Sequence, residues 1–360
     1  MSSESQPPDL WTVRRLLGWT AERFEATGIE SPRVDAEHLL SFALQCSRMS
    51  LYLEHDKVVD GSERARFREV VKRRLAREPV AYIEGKRGFH ALGLELRVDP
   101  RVLIPRPETE RLVDWVLEDL AGPRVEPEWV DERALAEARI PEWTEPGTEV
   151  EPPASAPPLR EWVEPVVEPI ATETETEIET AVSEEPAAPP DSRAVLDVGT
   201  GSGAIALAIK HARPSLRVAA CDISEDALSV ARDNAKQLGL HVPMRCSDLL
   251  DDVATPDGGW AVITANLPYI REPVWRTLAP EVQRFEPRVA LDGGADGLDV
   301  IRRLVADAPA RLAPGGALYL EIGYDQGESV PALLRAHGFV DVALRRDLAG
   351  HDRLVRGRRG

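Results

Sequence analysis

Short apolar segments alternate with helical segments over residues 192–360, and this alternation constrains the fold more than any other feature of the sequence. The patterns predict strands at residues 194–198, 217–221, 261–265 and 316–322, with helices between them. Strands that alternate with helices form a mostly parallel sheet covered by helices on both faces. The sequence therefore predicts an α/β fold, and ligands of such folds bind beyond the carboxyl ends of the strands.

The first predicted strand leads into a glycine-rich turn at residues 197–203, and a helix follows directly. Glycines let the backbone approach a ligand closely, and the N-terminus of a helix offers unpaired N–H groups. Such a turn also occurs in dinucleotide-binding proteins, or as a tight turn without a ligand. Asp197 favours another ligand, because a carboxylate repels a pyrophosphate but suits the ammonium and sulfonium groups of S-adenosylmethionine.

Residues at the ends of the next two strands extend this candidate cofactor site. Asp222 is placed to accept hydrogen bonds from ribose hydroxyls, although aspartate is also an ordinary turn residue. Asp248 is placed to bind an adenine amino group and Leu249 to cover the ring, although a simple turn explains this pair nearly as well. The candidate cofactor residues are Asp197, Gly199, Thr200, Gly201, Ser202, Gly203, Asp222, Asp248, Leu249 and Asn266.

The segment Asn266-Leu267-Pro268-Tyr269, directly after the strand at 261–265, indicates the chemistry. An amide nitrogen is a poor nucleophile because its lone pair is delocalised. If Asn266 Oδ1 and the Leu267 carbonyl accept its two hydrogens, the nitrogen gains electron density and is oriented toward a methyl donor. We predict Asn266, Pro268 and Tyr269 as catalytic, with Pro268 stiffening the turn and Tyr269 stacking on the substrate. All four residues are predicted to bind substrate, and a polar loop with a buried tyrosine is the alternative.

Residues 123–190 differ in composition from the rest of the chain. They hold 13 of the 30 prolines and 18 acidic against 4 basic residues, so they supply −14 of the net charge of −18. Such a segment buries too little apolar area to offset its ordering entropy, and we predict that it is disordered. The other predicted segments are a helical substrate-recognition domain at 1–85, a strand pair with a connecting helix at 86–122, and the catalytic domain at 191–360.

Charge, apolar runs and cysteines limit the classes of partner and environment. Outside residues 123–190 the charge is only −4, without the basic surplus typical of nucleic-acid binding. The sequence predicts no membrane-spanning helix and no signal peptide. Three distant cysteines and scattered histidines predict neither a disulfide framework nor a metal site. We expect a cytoplasmic monomer without metal, membrane contact or direct nucleic-acid partner.

Several motifs together resemble the HemK/PrmC family, the protein-(glutamine-N5) methyltransferases that modify the Gly-Gly-Gln loop of peptide chain release factors. Besides the glycine turn and residues 266–269, the resemblance is carried by residues 77–85, 103–110, 286–294 and 320–327. The Pro-Arg-Pro loop at 105–107 and the Asp-Gly-Gly segment at 292–294 are more specific than the glycine turn. The resemblance covers the chain except residues 123–190 and the extreme ends.

This resemblance implies a Rossmann-like class I methyltransferase domain with a mostly parallel seven-stranded sheet and a helical-bundle N-terminal domain. It implies S-adenosylmethionine contacts at residues 199–203, at Asp222 and near Leu249. It also implies substrate contacts at residues 266–269, with release factors as the protein substrate.

Two features depart from the family pattern. Leu267 replaces the first proline of the usual Asn-Pro-Pro-Tyr segment, and residues 123–190 are an insert that the family generally lacks. Three alternative functions stay open from the sequence. They are methylation of a ribosomal-protein glutamine, methylation of an exocyclic amino group in nucleic acid, and binding without catalysis on a retained methyltransferase fold.

Overall fold

A computed structural model describes residues 10–90, 92–122 and 193–360 of the chain. The segment predicted to be disordered, residues 123–190, lies outside the described residues. The described residues belong to one compact unit, in which helices at the N-terminal end precede a small hairpin and a large sheet.

The N-terminal helices form a bundle around their own apolar core, which includes Phe24, Leu39 and Leu40. Local capping fixes where two of these helices begin. Thr12 Oγ1 accepts the N–H of Arg15, and Asp60 forms a reciprocal capping box with Glu63. The helices are α1 (Val13–Ala26), α2 (Pro32–Leu44), α3 (Arg48–Leu53), α4 (Gly61–Leu75) and α5 (Val80–Glu84).

A two-stranded antiparallel hairpin links this bundle to the rest of the unit. Its strands are β1 (Lys86–Phe89) and β2 (Leu94–Arg97), and a long helix follows, α6 (Pro107–Ala121). Leu94 and Leu96 point inward at the period of two expected for a half-buried strand. The buried Asn234 side chain binds both the N–H and the carbonyl of Arg97 and also donates to the Ser202 carbonyl, so it ties the hairpin to the glycine turn.

The large sheet has seven strands in the order β5-β4-β3-β6-β7-β9-β8. Strands β5, β4, β3, β6 and β7 pair in parallel, whereas β9 pairs antiparallel with both β7 and β8. The prediction of an α/β fold with a mostly parallel seven-stranded sheet is confirmed. The strands are β3 (Ala194–Val198), β4 (Arg217–Asp222), β5 (Met244–Cys246), β6 (Trp260–Ala265), β7 (Leu312–Glu321), β8 (Phe339–Arg346) and β9 (Asp352–Arg359).

Helices cover the sheet, and a short 3-10 turn at Arg288–Ala290 lies between two of them. The glycine turn leads into α7, and Ser224 caps α8 by accepting the N–H of Ala227. The helices are α7 (Ala204–Ala212), α8 (Glu225–Gln237), α9 (Glu272–Trp275), α10 (Pro280–Phe285), α11 (Asp299–Arg311) and α12 (Ser329–Ala336).

Two side chains join the helical bundle to the sheet domain. Arg74 is buried, and its guanidinium donates to Asp35 Oδ2 at 2.7 Å and to Glu281 Oε1 at 2.9 Å. Tyr82 packs in a cluster whose other members come from the segment after β2 and from α8, and its hydroxyl donates to the Val102 carbonyl at 2.5 Å. These contacts place the bundle against the elements that form the cavity described next.

Candidate active site

A cavity lies at the carboxyl ends of the parallel strands, where the strand order reverses between β3 and β6. The chain continues from β3 to β4 and β5 on one side, whereas β6 and β7 lie on the other side. Open α/β sheets bind ligands in the crevice that such a reversal creates. The cavity wall includes these residues predicted from the sequence: Gly199, Thr200, Gly201, Ser202, Asp222, Asp248, Leu249, Asn266, Leu267 and Pro268.

The glycine turn has a left-handed backbone at Gly199, Gly201 and Gly203, with φ angles of 72°, 55° and 86°. The three glycines differ in what surrounds them. A Cβ at Gly203 would lie 2.9 Å from Leu207 Cδ1, so this glycine allows the helix to pack. A Cβ at Gly201 would meet no atom within 4 Å, so the backbone there borders open space that a ligand can fill.

Asp222, at the end of β4, faces the cavity and holds the glycine turn at the same time. Its Oδ2 accepts the N–H of Gly201 at 2.8 Å, and its Oδ1 accepts the N–H of Ser224 at 2.9 Å. Burial raises the pKa of Asp222, and these backbone N–H groups oppose that rise. A carboxylate has about four acceptor positions, so both oxygens keep capacity for two ribose hydroxyls.

Asp197 lies behind the glycine turn and is absent from the cavity wall among the described residues. Its side chain is fully buried, with Oδ2 accepting the Thr200 hydroxyl at 2.7 Å and Oδ1 accepting the Thr264 hydroxyl at 3.0 Å. Burial raises the pKa of Asp197 to about 7. In this structure Asp197 stabilises the glycine turn through its hydrogen bond with Thr200. Its direct contact with a cofactor ammonium stays a prediction.

Asp248 and Leu249 follow β5 and both line the cavity. Leu249 is buried with a left-handed φ of 50°, and its carbonyl accepts the Cys221 thiol at 3.3 Å. Asp248 Oδ2 accepts a hydrogen bond from Arg303 Nη2 at 2.8 Å. Arg303, on α11, also lines the cavity and was not among the predicted site residues, because nothing in its local sequence marks it.

The segment after β6 divides between the cavity wall and the interior. Asn266, Leu267 and Pro268 line the cavity, and Asn266 Nδ2 donates to Thr109 Oγ1 at 3.1 Å. Tyr269 packs against the apolar core under the sheet, and its hydroxyl donates to Glu321 Oε1 at 3.3 Å. Burial raises the pKa of Tyr269. Stacking of Tyr269 on a substrate stays a prediction.

The segment after β2 supplies cavity residues that the sequence marked only as a motif. Pro105, Arg106 and Thr109 line the cavity, and Arg106 Nη2 donates to Glu286 Oε1 at 2.5 Å. The Glu286 side chain is 2% exposed, and its Oε2 accepts the N–H of Ile104 at 3.4 Å. Glu286 therefore anchors this segment to the loop that precedes the Asp-Gly-Gly segment.

Two buried polar residues near β7 also hold the site. Glu321, 1% exposed, accepts the Thr109 hydroxyl at 2.6 Å. It was not among the predicted site residues, although a charged residue at the end of an apolar strand could have indicated it. Gln326 Nε2 donates to the carbonyls of Gly297 at 3.0 Å and Tyr269 at 3.4 Å. Gln326 therefore connects the segment after β6 to the glycine-rich loop before α11.

In residues 10–90, 92–122 and 193–360, no group of three or more His, Cys, Asp and Glu side chains is arranged to hold a metal ion. Over the same ranges, no helix is both long and apolar enough to cross a membrane.

Comparison with known proteins places the chain in a family. A model of the PrmC N-terminal domain matches residues 15–85, and a methyltransferase-domain model matches residues 195–285. A protein from Rhodopirellula baltica called release factor glutamine methyltransferase is 36% identical over 348 residues, covering 96% of this chain and 95% of that protein. Proteins of the same name from Geobacter sulfurreducens and Burkholderia pseudomallei are 33% and 38% identical, covering 99% and 94% of this chain and 100% and 95% of those proteins. The chain therefore belongs to the release factor glutamine methyltransferase family.

Proposed function

We propose that this protein transfers a methyl group from S-adenosylmethionine to the side-chain amide nitrogen (N5) of the glutamine in the Gly-Gly-Gln loop of peptide chain release factors. The observation that carries the proposal is the placement of Asn266 in the cavity wall, with its amide NH2 held by Thr109. The name shared by the relatives supports the same substrate.

The residues of the cavity fit S-adenosylmethionine. Gly201 borders open space, Asp222 keeps acceptor capacity for the ribose, and Leu249 offers an apolar side chain for the adenine. Asp248 is the nearby carboxylate for the adenine amino group, once its bond to Arg303 is shared or exchanged. When bound, S-adenosylmethionine supplies an electrophilic methyl group on a sulfonium.

The protein's own contribution is to position and polarise the substrate amide. Asn266 Oδ1 and the Leu267 carbonyl accept the two N–H hydrogens of the glutamine, which increases electron density on the nitrogen and fixes its orientation. Pro268 limits the conformations of this turn. Pro287, Val289 and Ala290 add an apolar part to the cavity wall.

The helical bundle at the N-terminal end holds the release factor, while the Gly-Gly-Gln loop brings the glutamine into the cavity because its glycines allow a close approach. The protein acts as a cytoplasmic monomer, and its charge outside residues 123–190 disfavours a direct nucleic-acid partner.

The test incubates the protein with a release factor and labelled S-adenosylmethionine, and then maps the methyl group by peptide mass spectrometry. We expect one methyl on the glutamine side chain, and none when glutamate replaces that glutamine, because a carboxylate lacks N–H donors and would face two acceptors. A ribosomal-protein extract and duplex DNA serve as competing substrates. If the ribosomal proteins or the DNA were methylated in preference to the release factor, the proposed substrate would be wrong.

A further inference from the structure

Three side chains from three separate elements form a hydrogen-bonded chain that ends at the cavity. Asn266 follows β6, Thr109 lies in the first turn of α6, and Glu321 ends β7. Asn266 Nδ2 donates to Thr109 Oγ1 at 3.1 Å, and Thr109 Oγ1 donates to Glu321 Oε2 at 2.6 Å. Thr109 and Glu321 are 4% and 1% exposed, so the hydrogen bond between them is shielded from water.

The direction of each bond in this chain follows from the number of hydrogens. With Glu321 as a carboxylate, which only accepts, the single hydroxyl hydrogen of Thr109 is directed at Glu321. The Thr109 oxygen can then only accept, and the side of Asn266 that faces it must be the NH2 group. Because the amide is planar, Asn266 Oδ1 is turned to the opposite side and is available as an acceptor.

Glu321 accepts a second hydroxyl hydrogen bond in addition to the one from Thr109. Its other oxygen, Oε1, accepts the Tyr269 hydroxyl at 3.3 Å. Burial raises the pKa of Glu321, whereas the Thr109 and Tyr269 hydroxyls and the charge of Arg353 oppose that rise. Glu321 therefore accepts hydrogen bonds from Thr109, the partner of Asn266, and from Tyr269, the last residue of the Asn266–Tyr269 segment.

We propose that Thr109 and Glu321 are positioning residues, which fix the side-chain amide of Asn266 so that Oδ1 is presented to the substrate amide. This inference deepens the proposed function and rests on it for its kinetic consequence. Without the Thr109 hydroxyl, the Asn266 amide rotates, and its NH2 group spends time where the acceptor is needed. A donor facing the N–H groups of the glutamine opposes binding of the reactive orientation.

The kinetic test compares Thr109→Val, which removes the hydroxyl but keeps a branched side chain, with Thr109→Ser, which keeps the hydroxyl. We expect kcat to fall about tenfold in Thr109→Val, the size of one lost hydrogen bond, with KM for S-adenosylmethionine within about twofold. Thr109→Ser should stay within about threefold of the wild-type kcat. Equal losses in the two variants, or a wild-type rate in Thr109→Val, would overturn the proposal.

A double-variant cycle separates positioning from general support of the fold. In an Asn266→Ala background, Thr109→Val should cause no further loss of kcat, because the side chain that Thr109 positions is already gone. A second tenfold loss in that background would mean that Thr109 acts by another route, and the positioning role would be rejected.

A measurement without any methyl acceptor keeps this inference distinct from the proposed function. The side-chain NH2 resonances of Asn266, identified by their loss in Asn266→Ala, should shift and exchange faster in Thr109→Val but not in Thr109→Ser. If the wild type methylated no release factor, the proposed substrate would be wrong while these resonances still tested the chain of bonds. Unchanged resonances in Thr109→Val would overturn the inference.

Discussion

Arg106 and Glu286 join two loops that both contribute to the cavity wall, with Arg106 Nη2 donating to Glu286 Oε1 at 2.5 Å although 180 residues separate them. The Glu286 side chain is almost fully buried, whereas one third of the Arg106 side chain is exposed. The pair therefore lies at the edge of the cavity with its carboxylate directed inward.

Replacing Arg106 by leucine should destabilise the protein and weaken S-adenosylmethionine binding. Glu286 would keep only the long bond from the Ile104 N–H, and a buried carboxylate without its partner costs about 1–3 kcal/mol. Urea unfolding measures the first effect and calorimetry the second. Arg111→Leu, on an exposed face of α6, is the matched control and should stay within about 0.5 kcal/mol of wild type. Equal behaviour of the two variants would contradict this role for the pair.

Asn266→Ala should abolish most turnover while leaving cofactor affinity nearly unchanged. Losing one acceptor that acts on the reacting amide should cost roughly 3 kcal/mol in transition-state stabilisation, by analogy with single oxyanion-hole donors. Single-turnover assays with release factor measure the loss, and calorimetry measures the affinity. Normal turnover in this variant would rule out the amide-polarising mechanism.

The matched variant for that experiment is Leu267→Pro, which restores the usual family segment and keeps the main-chain carbonyl. We expect turnover to be retained or improved, because the turn becomes more rigid. The Leu267 side chain is buried and belongs to the apolar core under the sheet, so the same change should also lower the free energy of unfolding. A large loss of turnover would show that the leucine is required.

Gly201 and Gly203 should respond differently to substitution. Gly201→Val places a side chain in the open space of the cavity, so we expect loss of S-adenosylmethionine binding with a folded protein. Gly203→Ala meets Leu207 and Ala231 and should mainly lower stability. Both variants also carry the cost of a left-handed backbone, about 1 kcal/mol. Calorimetry and thermal unfolding of the pair separate the effects, and identical profiles would contradict the distinction.

Asp197 should make stability depend on pH. Its pKa is about 7 in the folded protein against an ordinary value of 3.8. Between these two pH values the folded state keeps the proton, whereas the unfolded state has lost it. The contribution of this proton to the free energy of unfolding is fully present below about pH 4. It is lost as the pH rises toward 7, by at most about 1.4 kcal/mol per pH unit. Asp197→Asn removes the titration. The wild type should lose stability relative to this variant between about pH 5 and 7 in urea unfolding, and a constant difference would contradict the assignment.

Residues 123–190 should be dispensable for methyl transfer. The helix before the segment and the strand after it are both parts of the described unit, and long flexible connections cost little closure entropy. Replacing residues 125–189 by a Gly/Ser linker of about 20 residues should leave cofactor binding and turnover near wild type and reduce proteolytic cleavage. The segment also carries Trp129, Trp143 and Trp162, each directly after a glutamate, and replacing all three by alanine tests whether they bind a partner. Loss of folding or activity in the linker variant would show that the segment packs on the domain.

The parallel strands β3, β4 and β6 were predictable because they are mainly apolar. The predicted strand at 194–198 coincides with β3, and those at 217–221 and 261–265 differ from β4 and β6 by one residue at one end. The strand predicted at 316–322 corresponds to β7, which begins four residues earlier and ends one residue earlier. The antiparallel strands β8 and β9 carry several arginines and show little period-two alternation, so the pattern did not assign them.

The site was predictable where it depends on strand ends and unpredictable where it depends on partners. Asp222 ends β4 and Asn266 directly follows β6, and parallel strands bring their carboxyl ends to one edge of the sheet. Which neighbour a side chain contacts depends on packing between elements far apart in sequence. Asp197 turns to Thr264 behind the wall, and Glu321 reaches Thr109 across 212 residues. Neither spacing nor composition contains those contacts.

The packing of Tyr82 determines where the chain can be cut into separate domains. It belongs by sequence to the N-terminal segment that ends near residue 85, yet it packs on Val102 and Ala227, two residues that also line the cavity. A chain that begins after residue 85 would lack the Tyr82 ring and should have a void behind the part of the cavity wall that Val102 and Ala227 form. Residue 85 is thus where the match to the N-terminal family model ends, but it is not a boundary of packing. The layer behind the cavity wall includes Tyr82, which lies before that residue.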